Sequence, residues 1–116
     1  MGTIRNEMTI VHHYKKDELE KVREDAIQVF GQIGIVGEFI DGMISPIMES
    51  YINQEYTFVI NGDCSKIGWP ASEQFHETRI KWCEKHRQDA QNIVVINFGE
   101  DTPSYIVFDN KKESEE

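Results

Sequence analysis

Residues 92–108 read NIVVINFGEDTPSYIVF, two runs rich in β-branched and aromatic residues on either side of a turn. The first run, Asn92 to Phe98, predicts a strand, and the second, Ser104 to Phe108, predicts a strand that pairs back on it. The intervening segment 99–103 contains a glycine and a proline, which are typical of a turn. This hairpin predicts an antiparallel sheet.

Helical and strand patterns precede the hairpin. From Lys16 to Ile33 apolar residues recur at helical spacing, with charges on the other face, and Gly34 is a natural stop. A second helix is predicted from about Ser72 to Gln88. The remaining predicted strands are residues 7–13 and 56–60.

Residues 35–53 are apolar and periodic, although three glycines nearby lower the helix propensity. Ser45 followed by Pro46 resembles an N-cap with proline at the first helical position. We therefore predict one broken helix or two short helices, with a boundary at Ser45. The apolar face of residues 35–51 could be core, a homodimer seam or a partner groove, and core is favoured because a small domain needs the burial.

The predicted order is a strand, two helices, a strand, a helix and two strands, which favours an α+β fold with the helices packed on one face of a small antiparallel sheet. A chain of 116 residues has room for one core. We assign residues 1–110 to a single domain and residues 111–116, which contain no apolar side chain, to a flexible acidic tail.

The charge is strongly acidic, with 12 Lys and Arg against 21 Asp and Glu and a net charge of -9. Such a surface repels phosphate, which argues against direct binding to nucleic acid or to an anionic membrane and favours a partner with a basic surface. No segment is apolar enough to span a membrane, no export signal is visible, and the two cysteines are expected to be reduced. These features predict a cytoplasmic protein.

Residues capable of chemistry are few. Cys64, His76, Cys83 and His86 do not have the spacing of a zinc site, and Cys83 lies too late in its helix for an activated nucleophile. The basic segment 12–16 could bind an anion but is expected to be solvated surface. We predict no catalytic residue, metal or cofactor.

Arg79 falls on the same helix face as Phe75 and Trp82, where a cation must be paired, stacked or at the edge of the core. An ion pair with a loop carboxylate such as Asp63 is the favoured interpretation, and a ligand-binding arginine is the alternative.

A motif begins with Asp63-Cys64-Ser65-Lys66-Ile67-Gly68-Trp69 and continues with Ser72, Arg79, Trp82 and Phe98-Gly99-Glu100-Asp101. It resembles a group of small phage-encoded proteins that have an Asp-Gly-Ser-Lys-x-Gly-Trp motif and no assigned activity. Cys64 stands where those proteins have glycine, and Glu100 where they have aspartate. The resemblance covers about residues 60–108 and implies a phage origin, although packing alone could also explain the pattern.

Together these features predict a non-enzymatic protein-binding inhibitor that mimics acidic charge and is directed at a host defence or nucleic-acid-handling protein. The predicted contact residues are Glu18, Glu24 and Asp25 on the first helix and Glu100 and Asp101 in the hairpin turn. One alternative is a structural, assembly or homodimeric phage protein. Another is a small hydrolase or metal enzyme, which would need a pocket around Cys83 and His86.

Overall fold

A computed structural model describes residues 4–33, 40–62, 64, 66–99 and 103–112. Five strands and three helices are present in these ranges. They are β1 (Glu7–His13), α1 (Lys16–Phe30), α2 (Ile40–Met43), β2 (Met48–Glu49), β3 (Tyr56–Ile60), α3 (Pro70–Lys85), β4 (Asn92–Asn97) and β5 (Tyr105–Asp109).

The strands form one antiparallel sheet in the order β2-β3-β1-β4-β5. β1 lies at the centre, where Thr9 pairs with Ile60 on one side and with Val95 on the other. The order and directions of β1 to β4 are those of a ferredoxin-like split β-α-β arrangement, to which β5 adds an edge strand. The predicted α+β class and the predicted hairpin are confirmed.

α1 and α3 pack on one face of the sheet, as predicted. Every third or fourth residue of α1 is buried, and Phe30 at its end lies 5.3 Å from the ring of Phe75 and 6.0 Å from that of Trp82. Below the helices, fully buried residues of the sheet include Val11 and Phe58. Burial of each such side chain stabilises the fold by roughly 1.5–3 kcal/mol, so the two helices and this sheet face form the core.

The helix ends differ from the predictions by two or three residues. α1 ends at Phe30 rather than Ile33, and Ile33 is buried in the turn that follows. Gly34, the predicted stop, lies outside the described residues. α3 begins at Pro70, because proline at the first helical position needs no hydrogen-bonded N–H, and ends at Lys85 rather than Gln88.

The prediction of a helix after Ser45 is wrong. The Ser45 N–H donates to the Val59 carbonyl and the Val59 N–H donates to Ser45 Oγ, both at 2.9 Å, so this segment pairs with β3 instead. Only the four residues of α2 are helical among the described residues of 35–53. Ile44 is core as expected, but Tyr51 is fully exposed. Residues 34–39 lie outside the described residues.

The chain after β5 continues into a turn. The Lys112 N–H donates to the Asp109 carbonyl at 3.0 Å, and Arg87 donates to the Lys112 carbonyl at 2.5 Å. The rest of the predicted tail, residues 113–116, lies outside the described residues. Within the described ranges, no helix has the length and apolar character needed to cross a membrane.

Candidate functional site

The outward face of α1 carries the acidic surface that the sequence predicts. Glu24 and its neighbour Glu20 are exposed on this face. Glu18 is half-buried and forms an ion pair with Lys21 at 3.3 Å, so part of its charge is compensated. Of the predicted contact residues on α1, Glu24 is therefore the one with the clearest access to a partner.

Asp25 faces α3 rather than solvent. His86 Nε2 lies 2.6 Å and Lys85 Nζ lies 3.1 Å from its carboxylate. Burial raises the pKa of Asp25, but hydrogen bonds from His86 and Lys85 outweigh that effect and hold the pKa below its usual value of 3.8. Asp25 therefore connects the two helices, and its charge is already paired.

Three further predicted site residues, Asp63, Glu100 and Asp101, lie outside the described residues. The loops that lead to them converge at one end of the sheet. The Phe98 N–H donates to the Asn6 carbonyl at 3.0 Å, and an isolated bridge joins Ile4 to Lys66. The N-terminal segment before β1 thus contacts the residues that follow Ile60 and those that end β4.

Arg79 lies in the core, with no exposed surface. Its NH1 donates to Thr9 Oγ1 at 2.6 Å and to the Ile60 carbonyl at 2.9 Å, and its NH2 donates to the Asn61 carbonyl at 2.7 Å. The guanidinium carbon lies 5.0 Å from the centre of the Phe75 ring, within cation–π range. This geometry favours a structural role for Arg79 over ligand binding.

A carboxylate close to Arg79 comes from β1, whereas Asp63, the partner that the sequence favoured, lies outside the described residues. Glu7 is buried, and its Oε1 lies 2.8 Å from His76 Nδ1 and 3.8 Å from Arg79 Nε. Arg5 NH1 lies 3.7 Å from the other oxygen, Oε2. The sequence signal for Glu7 was its alternation with Thr9 and Val11, which places it on the buried face of the strand.

Cys83 and His86 do not form a nucleophilic site. Cys83 is fully buried, and burial raises the pKa of its thiol to about 12, so the reactive thiolate is scarce at neutral pH. His86 is also buried. The centre of its ring lies 4.8 Å from that of Trp82, and its Nδ1 lies 2.8 Å from Asp89. Both ring nitrogens therefore face carboxylate oxygens.

A cavity of about 300 Å³ lies beside His86. Its lining residues are His13, Glu18, Lys21, Val22, His86, Gln88 and Asp89, without Cys83. Burial is the largest influence on His13 and lowers its pKa. Within the described ranges, no three His, Cys, Asp or Glu side chains are placed to hold a metal ion.

The basic segment 12–16 is divided between the sheet and solvent. Tyr14, Lys15 and Lys16 are exposed, and Lys15 Nζ lies 5.7 Å from the centre of the Tyr14 ring. His12 belongs to β1, where it is hydrogen-bonded to Glu55 and lies 3.3 Å from Asn92 Oδ1. This segment is therefore not a single anion-binding surface.

The face of the sheet opposite α1 and α3 is apolar at its centre, and we call it the open face. Strand pairing arranges its side chains in three rows. The rows are Met8, Ile96 and Ile106; Val59, Ile10, Val94 and Asp109; and Met48, Thr57, His12 and Asn92. Their neighbours along the strands, such as Thr9 and Val11, are fully buried against the helices. The open face is a second candidate binding surface.

Sequence reasoning missed the open face, although a signal for it exists. Residues 93–96 are four consecutive apolar residues, whereas a strand with one solvated face alternates apolar and polar side chains. The predicted strand was correct, but the apolar character of both of its faces was not interpreted.

Comparison with known proteins yields no match to a family model, a curated protein or a solved structure. The functional assignment therefore depends on the residues and geometry of this chain.

Proposed function

We propose that this chain is a non-enzymatic protein-binding inhibitor that presents an acidic helix face to a basic surface of its partner. The observation that carries the proposal is the net charge of -9 together with the exposed carboxylates of Glu20 and Glu24 on α1. Complementary potentials accelerate association and select the partner, so an acidic face can compete for a basic groove.

Because residues 60–108 resemble phage-encoded proteins, the proposed partner is a protein of the host cell. Proteins that bind nucleic acid, including defence proteins that do so, present basic grooves to its phosphates. A phage protein with excess acidic charge would occupy such a groove in the bacterial cytoplasm. The burial of Cys83 and the engagement of Arg79 by Thr9 and two carbonyls support binding rather than catalysis.

The proposal is tested by capturing partners from bacterial lysate and then measuring affinity for the captured protein after it is purified. We expect Glu24→Lys to weaken binding to the partner by about tenfold at low salt. The effect should be smaller at high salt, because dissolved ions screen the attraction between Glu24 and the basic surface that the substitution removes. Isothermal titration calorimetry at two salt concentrations gives both values.

Glu77→Lys is the matched control, because Glu77 is also exposed but lies on α3 and the change in net charge is the same. Equal weakening by both variants would indicate a nonspecific effect of total charge. Unchanged affinity in Glu24→Lys and in the Glu100→Lys/Asp101→Lys double variant would contradict charge mimicry.

A structural or homodimeric role is the second candidate. It is favoured by apolar side chains that remain exposed at both edges of the sheet, Met48 on β2 and Ile106 on β5. Solution mass tests this second candidate, because it needs an oligomer, whereas charge mimicry neither needs nor excludes one.

A further inference from the structure

We propose that the open face is the interface of a homodimer, in which the sheets of two copies pack face to face. This surface is distinct from the acidic face of α1, and of the described residues in the segment 35–51 its rows include Met48 alone. The proposal does not depend on the inhibitory function.

The first support is the distribution of apolar side chains over the sheet. Ile10 and Val94 pair at the centre of the open face, and Met8 pairs with Ile96 in the next row. These residues point away from α1 and α3, because successive side chains of a strand alternate between faces and the intervening Thr9 and Val95 are fully buried. Apolar residues on both faces are typical of a sheet that is covered on both sides.

The second support is the composition of the open face relative to the rest of the molecule. Among its paired positions the ionisable side chains are His12 and Asp109, both at the border, and Glu55 is hydrogen-bonded to His12. The net charge of -9 is thus carried elsewhere. An apolar centre with a polar rim is the usual anatomy of a protein interface, and two copies can approach through it without placing carboxylates in contact.

The third support is area. The five strands contain 7, 2, 5, 6 and 5 residues. At about 3.4 Å per residue along a strand and about 4.8 Å between strands, they cover on the order of 400 Å². The open face therefore offers on the order of 400 Å² per copy, and two copies would bury on the order of 800 Å², the size of a weak, concentration-dependent interface. An apolar patch of this size on a monomer is typical of a binding surface.

A nucleic-acid strand fits this surface poorly. Proteins that bind single strands on a sheet use aromatic side chains for base stacking and cations for the phosphates. The three rows of the open face contain neither Phe, Tyr or Trp nor Lys or Arg. An apolar surface without aromatic or cationic side chains is better matched by a second copy of the same apolar face.

The test is the mass of the full chain by sedimentation equilibrium over a range of concentrations, at low salt and at about 1 M salt, where charge interactions are screened. We expect a particle of twice the 13.5 kDa chain mass under both conditions. Ile106→Lys should raise the dimer dissociation constant at least about a hundredfold, because each interface would then contain two buried ammonium groups.

Ile67→Lys is the matched control, because Ile67 is 45% exposed, close to the 52% of Ile106, but lies in the loop before α3. It should leave the dissociation constant unchanged. Circular dichroism verifies folding, and Met48→Lys at the opposite edge provides an independent variant if Ile106→Lys is unfolded. A monomer at every concentration, retention of the dimer in both edge variants, or equal weakening by Ile67→Lys would overturn the proposal.

The two proposals fail independently. A salt-resistant dimer that is lost in Ile106→Lys supports the open face, whatever Glu24→Lys does to partner binding. A monomer that binds a basic partner in a salt-dependent manner supports charge mimicry alone. A monomer that binds a single-stranded oligonucleotide through the open face would contradict the dimer and the choice of partner class.

Discussion

At the scale of single residues, Arg79 is held because three residues from two parts of the chain accept hydrogen bonds from it. Thr9 contributes a hydroxyl from β1, and Ile60 and Asn61 contribute carbonyls where β3 ends. Glu7 lies close enough to balance the charge. Burial of an ion pair costs several kcal/mol of desolvation, so the pair itself adds little stability, but loss of one partner leaves the other uncompensated.

Arg79→Ala should therefore lower the free energy of unfolding by about 3–5 kcal/mol. The measurement is urea denaturation followed by circular dichroism. Lys81→Ala, on the exposed side of the same helix, is the control and should change stability by no more than about 0.5 kcal/mol. A loss below about 1 kcal/mol in Arg79→Ala would show that water or rearranged side chains can replace the guanidinium.

Cys64 provides a second test at this scale. Its φ of 57° lies in the left-handed region, which costs a residue with a Cβ roughly 1–2 kcal/mol. Glycine removes that cost but has more freedom in the unfolded chain, so Cys64→Gly should raise the free energy of unfolding by about 0.5–1 kcal/mol. Cys64→Val removes the thiol as well, yet should be destabilising. Equal stability of the two variants would mean that the backbone is not strained there.

At the scale of elements, α1 and α3 are joined by polar as well as apolar contacts. Asp25 on α1 accepts hydrogen bonds from Lys85, the last residue of α3, and from His86, which follows it. Phe30 and Trp82 pack between the same helices. A charged hydrogen bond at the rim of an apolar contact fixes how the two helices lie against each other.

Asp25→Asn should cost roughly 1–2 kcal/mol at neutral pH, because hydrogen bonds to a charged group are lost. The pKa of Asp25 is lowered in the fold, so its stabilising effect is complete above its usual pKa and is lost as pH falls through the folded-state pKa. Acid unfolding below about pH 4 should therefore depend less steeply on pH in Asp25→Asn than in the wild type.

Glu20→Gln, which removes an exposed carboxylate from the same helix, is the control and should leave the slope unchanged. Identical acid-unfolding curves for the wild type and Asp25→Asn would contradict a stabilising role for the ionised Asp25 carboxylate.

The elements also show which predictions local sequence can support. α1 was predicted because its apolar residues repeat at helical spacing, and β4 because it is rich in β-branched residues. The segment after Ser45 was predicted wrongly because its capping signal is local, whereas the bonds that it forms lie with Val59 across the sheet. The predicted end of α1 was three residues too late, because Ile33 is buried from a turn as effectively as it would be from a helix.

At the scale of the whole molecule, charge and apolar surface are separated. Acidic side chains such as Glu24 lie on the helix layer, and the open face opposite is apolar around Ile10 and Val94. The net charge could be counted from the sequence and yielded the mimicry hypothesis. The alternation in β1 and the apolar run 93–96 gave signals for the burial of Glu7 and for the open face. Which face the helices cover and which distant strands flank β1 could not be read from local sequence.

The central position of β1 also constrains how the protein is made. β1 precedes the other described strands in the chain, yet its pairing partners β3 and β4 are synthesised much later. On the ribosome it must wait, with the apolar residues of both its faces unpaired, until β4 has emerged. Folding through such distant pairings is slow, and a chain waiting in this state is prone to aggregation, so chaperones have their longest opportunity to bind β1 during translation.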